Sequence, residues 1–90
     1  PLAFVCIAPV VAAKVLGPKV AAKLTIGDDA GTAAAINAMG GQHVECPVRA
    51  AVVDREHKIV STPAYMTAKS IADVYEGCRA AVDELLKLIS

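Results

Sequence analysis

Cysteine and histidine are the residues of this chain best suited to nucleophilic and proton-transfer chemistry, and Cys6 has the most informative setting. It ends the short apolar run 2–5 and is followed at once by sequence typical of a helix. A strand that turns sharply into a helix at a nucleophile exposes that side chain at the carboxyl edge of a sheet. The first free amides of the helix, and its dipole, favour the reactive thiolate. The pattern predicts a nucleophile elbow at Cys6; the alternative is a small buried residue that ends a core strand.

The other candidates have weaker settings. His43 lies near a predicted strand start and is the candidate general base, with a backbone-bonded structural histidine as its alternative. His57 lies among charged residues in a predicted hairpin tip, so we expect it to be solvated and non-catalytic. Cys46 and Cys78 are expected to pack as buried thiols. Because the three cysteines include no C-x-x-C pair, we expect reduced thiols and no metal site.

Composition limits the remaining classes of function. Ninety residues, of which 56% are hydrophobic and 3% aromatic, can form one small domain with a core of aliphatic side chains. Nine basic residues balance nine acidic ones, so no net charge favours binding to nucleic acid or to an anionic membrane. No apolar run approaches the roughly 18 residues that a membrane span needs.

Strands alternate with helices along the chain, which indicates an α/β domain. The predicted strands cover residues 2–6, 23–26, 42–48, 50–53 and 58–61, and the predicted helices cover 9–16, 33–39 and 71–89. Asp29 or Thr32 is expected to cap the second helix, and residues 54–57 should connect a β-hairpin. Because the strands at 2–6 and 58–61 are both strongly apolar, we expect them to be parallel members of one sheet.

Two predictions concern the last third of the chain. Thr62 and Pro63 have the pattern of a helix N-cap followed by proline at the first helical position. The last helix has apolar residues at spacings of three and four, and this stripe is expected to lie on the sheet. The stripe consists of Ile71, Val74, Tyr75, Cys78, Val82, Leu85 and Ile89.

Several separated motifs resemble one known family. They are the segments 4–9 (FVCIAP), 24–27 (LTIG), 41–44 (GQHV), 53–54 (VD) and 58–66 (KIVSTPAYM). Together they look like the C-terminal part of the ElbB (enhancing lycopene biosynthesis) proteins, a branch of the PfpI-like, class I glutamine amidotransferase-like superfamily. The resemblance covers essentially the whole chain and implies a flavodoxin-like three-layer α/β sandwich with a mainly parallel sheet. Residues 1–90 would be the C-terminal half of that single domain, and its N-terminal half would precede Pro1.

The resemblance also implies an activity. ElbB relatives are associated with a cofactor-free, glyoxalase-type conversion of glyoxal to glycolate. Cys6 would be the nucleophile, the Ile7 amide would hold the oxyanion, and the base would be His43 or an acidic residue from the N-terminal half. Amidotransferases have a His-x-Glu pair near the final strand, whereas residues 61–64 read STPA, so glutamine hydrolysis is not expected. The alternative is a non-catalytic regulatory, redox-sensing or scaffold protein.

The expected partners are a small aldehyde or dicarbonyl substrate, the N-terminal half and a second copy in a homodimer, without nucleic acid or membrane. No cofactor or metal is expected. The loop after residues 24–27 is short, as in bacterial relatives, which favours a cytoplasmic location. The alternative is the mitochondrial matrix, where animal relatives with a longer loop are found.

Overall fold

The computed structural model describes residues 1–89, in which short strands alternate with helices as the sequence predicts. The strands are β1 (Leu2–Val5), β2 (Lys23–Leu24), β3 (Gln42–His43), β4 (Val52–Asp54) and β5 (Ile59–Thr62). The helices are α1 (Ala8–Leu16), α2 (Ala30–Ala38) and α3 (Ile71–Ile89), with a short 3-10 helix at Ala64–Met66. None of these helices is long and apolar enough to cross a membrane.

Strand β5 is the centre of a three-stranded sheet with the order β1-β5-β4. It runs parallel to β1, with Val5 opposite Thr62, and antiparallel to β4. The predicted parallel pairing of the elbow strand with the strand at 58–61 is therefore confirmed, as is the α/β fold. Strands β2 and β3 form a separate parallel pair, and β2 lies against β4 and β5.

Strands β2 and β3 are shorter than predicted, and polar side chains take the two backbone amides that follow β2. The Thr25 N–H donates to Ser61 Oγ at 3.0 Å, and the Ile26 N–H donates to His43 Nε2 at 3.3 Å. These bonds satisfy buried amides without a neighbouring strand. The Ser61 hydroxyl thus joins the two sheets, whereas the His43 ring bonds within the smaller one.

The core is built from aliphatic side chains between α1, α2 and the sheets. Its buried members are Ala12, Ala13, Ala22, Leu24, Ile26, Ile36 and Ile59. Alanine on the inner face of α1 lets that helix approach the strands closely. This close approach fixes the direction in which α1 leaves the elbow.

Helix α2 begins three residues earlier than predicted, because Asp29 is its N-cap. The Asp29 carboxylate accepts hydrogen bonds from the Thr32 N–H at 2.9 Å and from the Thr32 hydroxyl at 2.6 Å. These bonds lower the pKa of Asp29. The sequence left the cap open between Asp29 and Thr32, and the structure assigns it to Asp29.

Thr62 does not cap a helix, so that prediction is wrong. It is the last residue of β5, and its buried hydroxyl donates to the Ala50 carbonyl at 2.7 Å. The short 3-10 helix that follows starts from Pro63 and has no side-chain cap. The hydroxyl thereby joins the end of β5 to the segment before β4.

The apolar stripe predicted on α3 is only partly buried, and most of its large side chains face outward. Ile71, Tyr75 and Val82 are 75%, 64% and 52% exposed, whereas the buried positions are Gly77 and Ala81. A Cβ at Gly77 would collide with the Val48 carbonyl oxygen. Small residues therefore decide which face of α3 meets the sheet.

Candidate active site

Cys6 occupies the turn between β1 and α1 in a left-handed backbone conformation. Its φ is 64°, a value that residues with a Cβ adopt only at a cost in energy. Its N–H donates to the Thr62 carbonyl at 3.0 Å, so the turn is tied to the end of β5. The thiol is free and half-buried. This is the geometry of a nucleophile elbow, in which the strained turn presents the side chain at the carboxyl edge of the sheet.

The start of α1 supplies backbone donors next to this thiol. Ile7 is the N-cap residue, and the first hydrogen bond of the helix runs from the Val10 N–H to the Ile7 carbonyl at 3.0 Å. The amides of Ile7 and Ala8 precede that bond, and Pro9 has no N–H to contribute. Two N–H groups thus lie within two residues of the thiol, where a developing oxyanion would be stabilised.

A second strained residue lies at the end of the neighbouring strand. Ala64 is fully buried and has a φ of 47°. It follows Thr62 by two residues, so it lies close to the Cys6 turn across the β1–β5 pair. Strained non-glycine residues cluster where a site demands a particular backbone shape. Two adjacent strand ends therefore share this property at the carboxyl edge.

His43 lies on β3 of the two-stranded sheet, whereas Cys6 follows β1 of the three-stranded sheet. Its Nε2 accepts the Ile26 N–H, and its own N–H donates to Asn37 Oδ1 at 2.9 Å. Burial lowers the pKa of His43, and the nearby Glu45 carboxylate opposes that shift. A neutral imidazole is what the Ile26 bond requires, because a protonated Nε2 could not accept it. These contacts match the structural alternative for His43; its role as the base stays a prediction.

The other two cysteines differ from Cys6 in setting. Cys46 is buried, its thiol donates to the Pro47 carbonyl at 3.4 Å, and burial raises its pKa. Cys78 is half-buried on α3 and is also a free thiol. Within residues 1–89, no group of three or more potential ligands could hold a metal ion.

Sequence reasoning missed an ion pair at the opposite end of the sheet. The buried Asp54 carboxylate accepts the Lys23 N–H at 2.8 Å, the His57 N–H at 3.0 Å and the His57 Nδ1–H at 2.8 Å. His57 is therefore half-buried and paired, not solvated as expected. The signal was the spacing of Asp54 and His57 across a four-residue hairpin connection, where a carboxylate commonly accepts a hydrogen bond from its own turn.

This pair shifts both pKa values. The Asp54 hydrogen bond raises the pKa of His57, although partial burial opposes it. Burial alone would raise the pKa of Asp54, but the bonds from His57 and Lys23 together lower it. Both shifts favour the charged pair.

Two curated relatives align with nearly the entire chain, although no protein-family model matches it. The human glutamine amidotransferase-like class 1 domain-containing protein 3, mitochondrial, is 38% identical over 98% of the chain. The rat ES1 protein homolog, mitochondrial, is 36% identical over the same share. The homologues are glutamine amidotransferase-like class 1 domain proteins. The chain spans about a third of their length, 35% of each.

A solved structure shows the same fold. It is an isoprenoid biosynthesis protein with an amidotransferase-like domain from Ehrlichia chaffeensis, 34% identical to this chain. The two superpose with a TM-score of 0.93 over 100% of this chain and 41% of that one. The elbow and the strands around it therefore belong to an amidotransferase-like, flavodoxin-like fold.

Proposed function

We propose that this chain carries the nucleophile of a cofactor-independent thiol enzyme that converts small dicarbonyls to hydroxy acids, as in glyoxal to glycolate. The observation that carries the proposal is the left-handed conformation of Cys6 between β1 and α1. A strained residue with a reactive side chain, set beside free helical amides, is the arrangement that nucleophilic catalysis requires. The amidotransferase-like relatives support the fold of such a site, and the reaction itself is our inference.

The first step is addition of the Cys6 thiolate to one aldehyde carbon of glyoxal. A C–S bond forms, and the π electrons of that carbonyl move to its oxygen. The Ile7 and Ala8 N–H groups would stabilise this oxyanion, which then takes a proton to give a hemithioacetal. The helix start contributes most as charge develops, so it stabilises the transition state more than the substrate.

The second step moves a proton between the two carbons. A base removes the C–H proton of the hemithioacetal carbon, and the resulting enediol is reprotonated on the neighbouring carbon, leaving a glycolyl thioester on Cys6. Water then cleaves the C–S bond, releases glycolate and restores the thiol. The sum is glyoxal plus water giving glycolic acid, so no external oxidant or reductant is needed. We expect the base to come from the part of the fold that the relatives have beyond this alignment, with His43 as the candidate within the chain.

Glutamine hydrolysis is the less suitable reaction for this site. It needs a histidine beside the nucleophile to activate the thiol and protonate the leaving ammonia. The segment at the carboxyl end of β5 reads Ser61-Thr62-Pro63-Ala64, which supplies no such group. Aldehyde addition requires only the thiolate and an oxyanion donor in its first step.

The test measures glycolate formation from glyoxal by the intact protein, with Cys6→Ala and Cys6→Ser as variants and Cys78→Ala as a matched thiol control. We expect both Cys6 variants to lose turnover and the Cys78 variant to keep it. Rapid quenching should also trap a glycolyl adduct on the Cys6 peptide. Turnover in Cys6→Ala would exclude the thiol mechanism, and no turnover of any small dicarbonyl by the wild type would favour the regulatory, redox-sensing or scaffold alternative.

A homodimer and a location in the cytoplasm, or in the mitochondrial matrix, belong to the same proposal. Both curated relatives are named as mitochondrial proteins, which supports the second location. Sedimentation of the intact protein would test the homodimer, and organelle fractionation would test the location.

A further inference from the structure

A polar cleft lies at the opposite end of β5 from Cys6. Its volume is about 310 Å³. It is bordered by the β4–β5 hairpin connection on one side and by the starts of β2 and β3 on the other. The polar side chains that line it are Lys23, Gln42, Asp54, Arg55, Glu56 and His57.

The buried carboxylate of this cleft, that of Asp54, already has hydrogen-bond donors from the protein. Asp54 is 4% exposed and accepts three N–H groups, one from Lys23 and two from His57. Its negative charge is therefore directed into the protein. The bond to Nδ1 also fixes the His57 ring and leaves Nε2 as the ring nitrogen available to a ligand.

The cationic groups around the cleft are held much more loosely. Within residues 1–89, the Lys23 ammonium makes no hydrogen bond or ion pair. The Arg55 guanidinium lies 3.9 Å from the Glu84 carboxylate of α3, which also pairs with Lys87 at 3.1 Å. An exposed pair at such a distance contributes little and opens readily. Lys23 and Arg55 can thus both turn toward a bound anion.

From this arrangement we propose that the cleft is a second ligand site, for a small oxyanion such as a carboxylate or a phosphate group, and that protonation of His57 strengthens binding. The oxyanion would accept hydrogen bonds from His57 Nε2–H, the Lys23 ammonium and the Arg55 guanidinium. With His57 neutral, two cations face the carboxylates of Asp54 and Glu56, and the lining has no net charge. Protonation adds both a positive charge and a donor.

The pH range follows from the groups around the ring. The Asp54 carboxylate contacts His57 directly, Glu56 lies beside it, and Lys23 and Arg55 are the facing cations. The hydrogen bond to Asp54 raises the pKa of His57, while partial burial opposes that shift. The protonated form is thereby favoured toward neutral pH, and affinity should fall as pH rises through that pKa. This site is independent of the chemistry proposed at Cys6.

The experiment is a titration of the intact protein with sulfate and, separately, with acetate, followed through the His57 ring protons by NMR. Sulfate and acetate both stay almost fully ionised from about pH 6 to about pH 8, so a change in affinity over this range reports the protein. The variant His57→Gln assigns the signals. Sulfate stands for a phosphate group and acetate for a carboxylate, so the two arms distinguish the sources.

Saturable shifts by either probe at the lower pH, weakened at least threefold at the higher pH, would support the site. Lys23→Gln and Arg55→Gln should each weaken binding about two- to fivefold, whereas Lys14→Gln, an exposed lysine of α1, should not. His57→Gln should abolish the pH dependence, with binding followed by backbone amide shifts. No saturable shift, or equal affinity in the Lys23, Arg55 and Lys14 variants, would overturn the proposal.

Discussion

At the scale of single residues, the Cys6 nucleophile candidate is held in a backbone conformation that its own Cβ disfavours. Its φ of 64° lies in the left-handed region, which glycine adopts without steric cost, and its N–H bond to the Thr62 carbonyl holds it there. The sheet and α1 maintain this conformation against its intrinsic preference. The strain therefore has a measurable cost in stability.

We expect Cys6→Gly to be more stable than Cys6→Ala by about 1 kcal/mol, because glycine relieves the left-handed strain that alanine keeps. Urea unfolding of the two variants measures the difference. At Cys78, inside α3, the order should reverse, since glycine is about 1 kcal/mol worse than alanine in a helix. The same order at both positions would contradict the elbow conformation.

Thiol reactivity should also separate the three cysteines. We expect an alkylating reagent to modify Cys6 well before Cys46 and Cys78, since burial raises the pKa of Cys46 and limits access to it. Peptide mass spectrometry at short reaction times measures the order. In urea the three rates should converge, and preferential labelling of folded Cys78 would count against an activated nucleophile.

The Asp54–His57 pair should make stability depend on pH near neutrality. Because the pKa of His57 is raised in the folded state, its contribution is fully present below the unfolded value of about 6.5 and is lost as pH rises through the folded value. The stability difference between the wild type and His57→Gln should therefore be largest near pH 5 and shrink toward pH 9. Urea midpoints across this range measure it, and a constant difference would rule out the linkage.

At the scale of elements, the turn regions were the most predictable from sequence. The elbow at Cys6, the hairpin connection (predicted at 54–57, found at 55–58) and the α2 cap, narrowed to Asp29 or Thr32, each depend on local chemistry that a few residues specify. The face of α3 that meets the sheet could not be predicted in this way. Hydrophobic spacing identifies large apolar residues, but Gly77 and Ala81 make the contact because the Val48 carbonyl leaves no room for more.

The setting of His43, the candidate base for Cys6, could not be predicted from sequence for a similar reason. His43 has the right side chain and lies near a strand start, yet its ring accepts the Ile26 N–H in the smaller sheet. That bond depends on the pairing of β2 with β3, which spacing along the chain does not encode. The Asp54–His57 pair could have been predicted from the sequence, because both residues belong to one hairpin.

Two glycines in helices provide a matched test of this packing. Gly77→Ala should destabilise the protein by about 1–3 kcal/mol, because the new Cβ meets the Val48 carbonyl and lies 3.0 Å from Thr62 Oγ1. Gly31→Ala in α2 should stabilise it by up to about 1 kcal/mol, because its nearest neighbour would be 3.8 Å away. Thermal unfolding of both variants is the measurement. If both substitutions stabilised the protein, α3 would have to lie farther from the sheet than it does in this structure.

At the scale of the whole molecule, two apolar faces flank β1, which lies at one edge of its sheet. On the α1 side, Val11 and Val15 are both 61% exposed, and Leu2 of β1 is 58% exposed. On the α3 side, Ile71 and Tyr75 are at least as exposed. Exposed apolar surface beside an open strand edge favours association.

We expect the ninety-residue chain in isolation to self-associate, and the double variant Val11→Lys, Val15→Lys to do so less while keeping its helical content. Sedimentation and circular dichroism measure the two properties. The control is the double variant Lys14→Gln, Lys19→Gln, which changes the net charge but leaves the exposed apolar area unchanged. A monomeric wild-type chain would show that these faces do not drive self-association.

The position of β5 between β1 and β4 has a consequence for how sequences of this kind can change. The Cys6 turn is anchored to the Thr62 carbonyl, and the register of β5 begins at the tight connection that follows Asp54. Inserting one residue there would shift β5 by one position and exchange the side chains on its two buried faces. A length change at the far end of the sheet would then misplace the thiol without touching it. Insertions should accumulate elsewhere, and the length of this connection should be a better marker of a working elbow than the residues around Cys6.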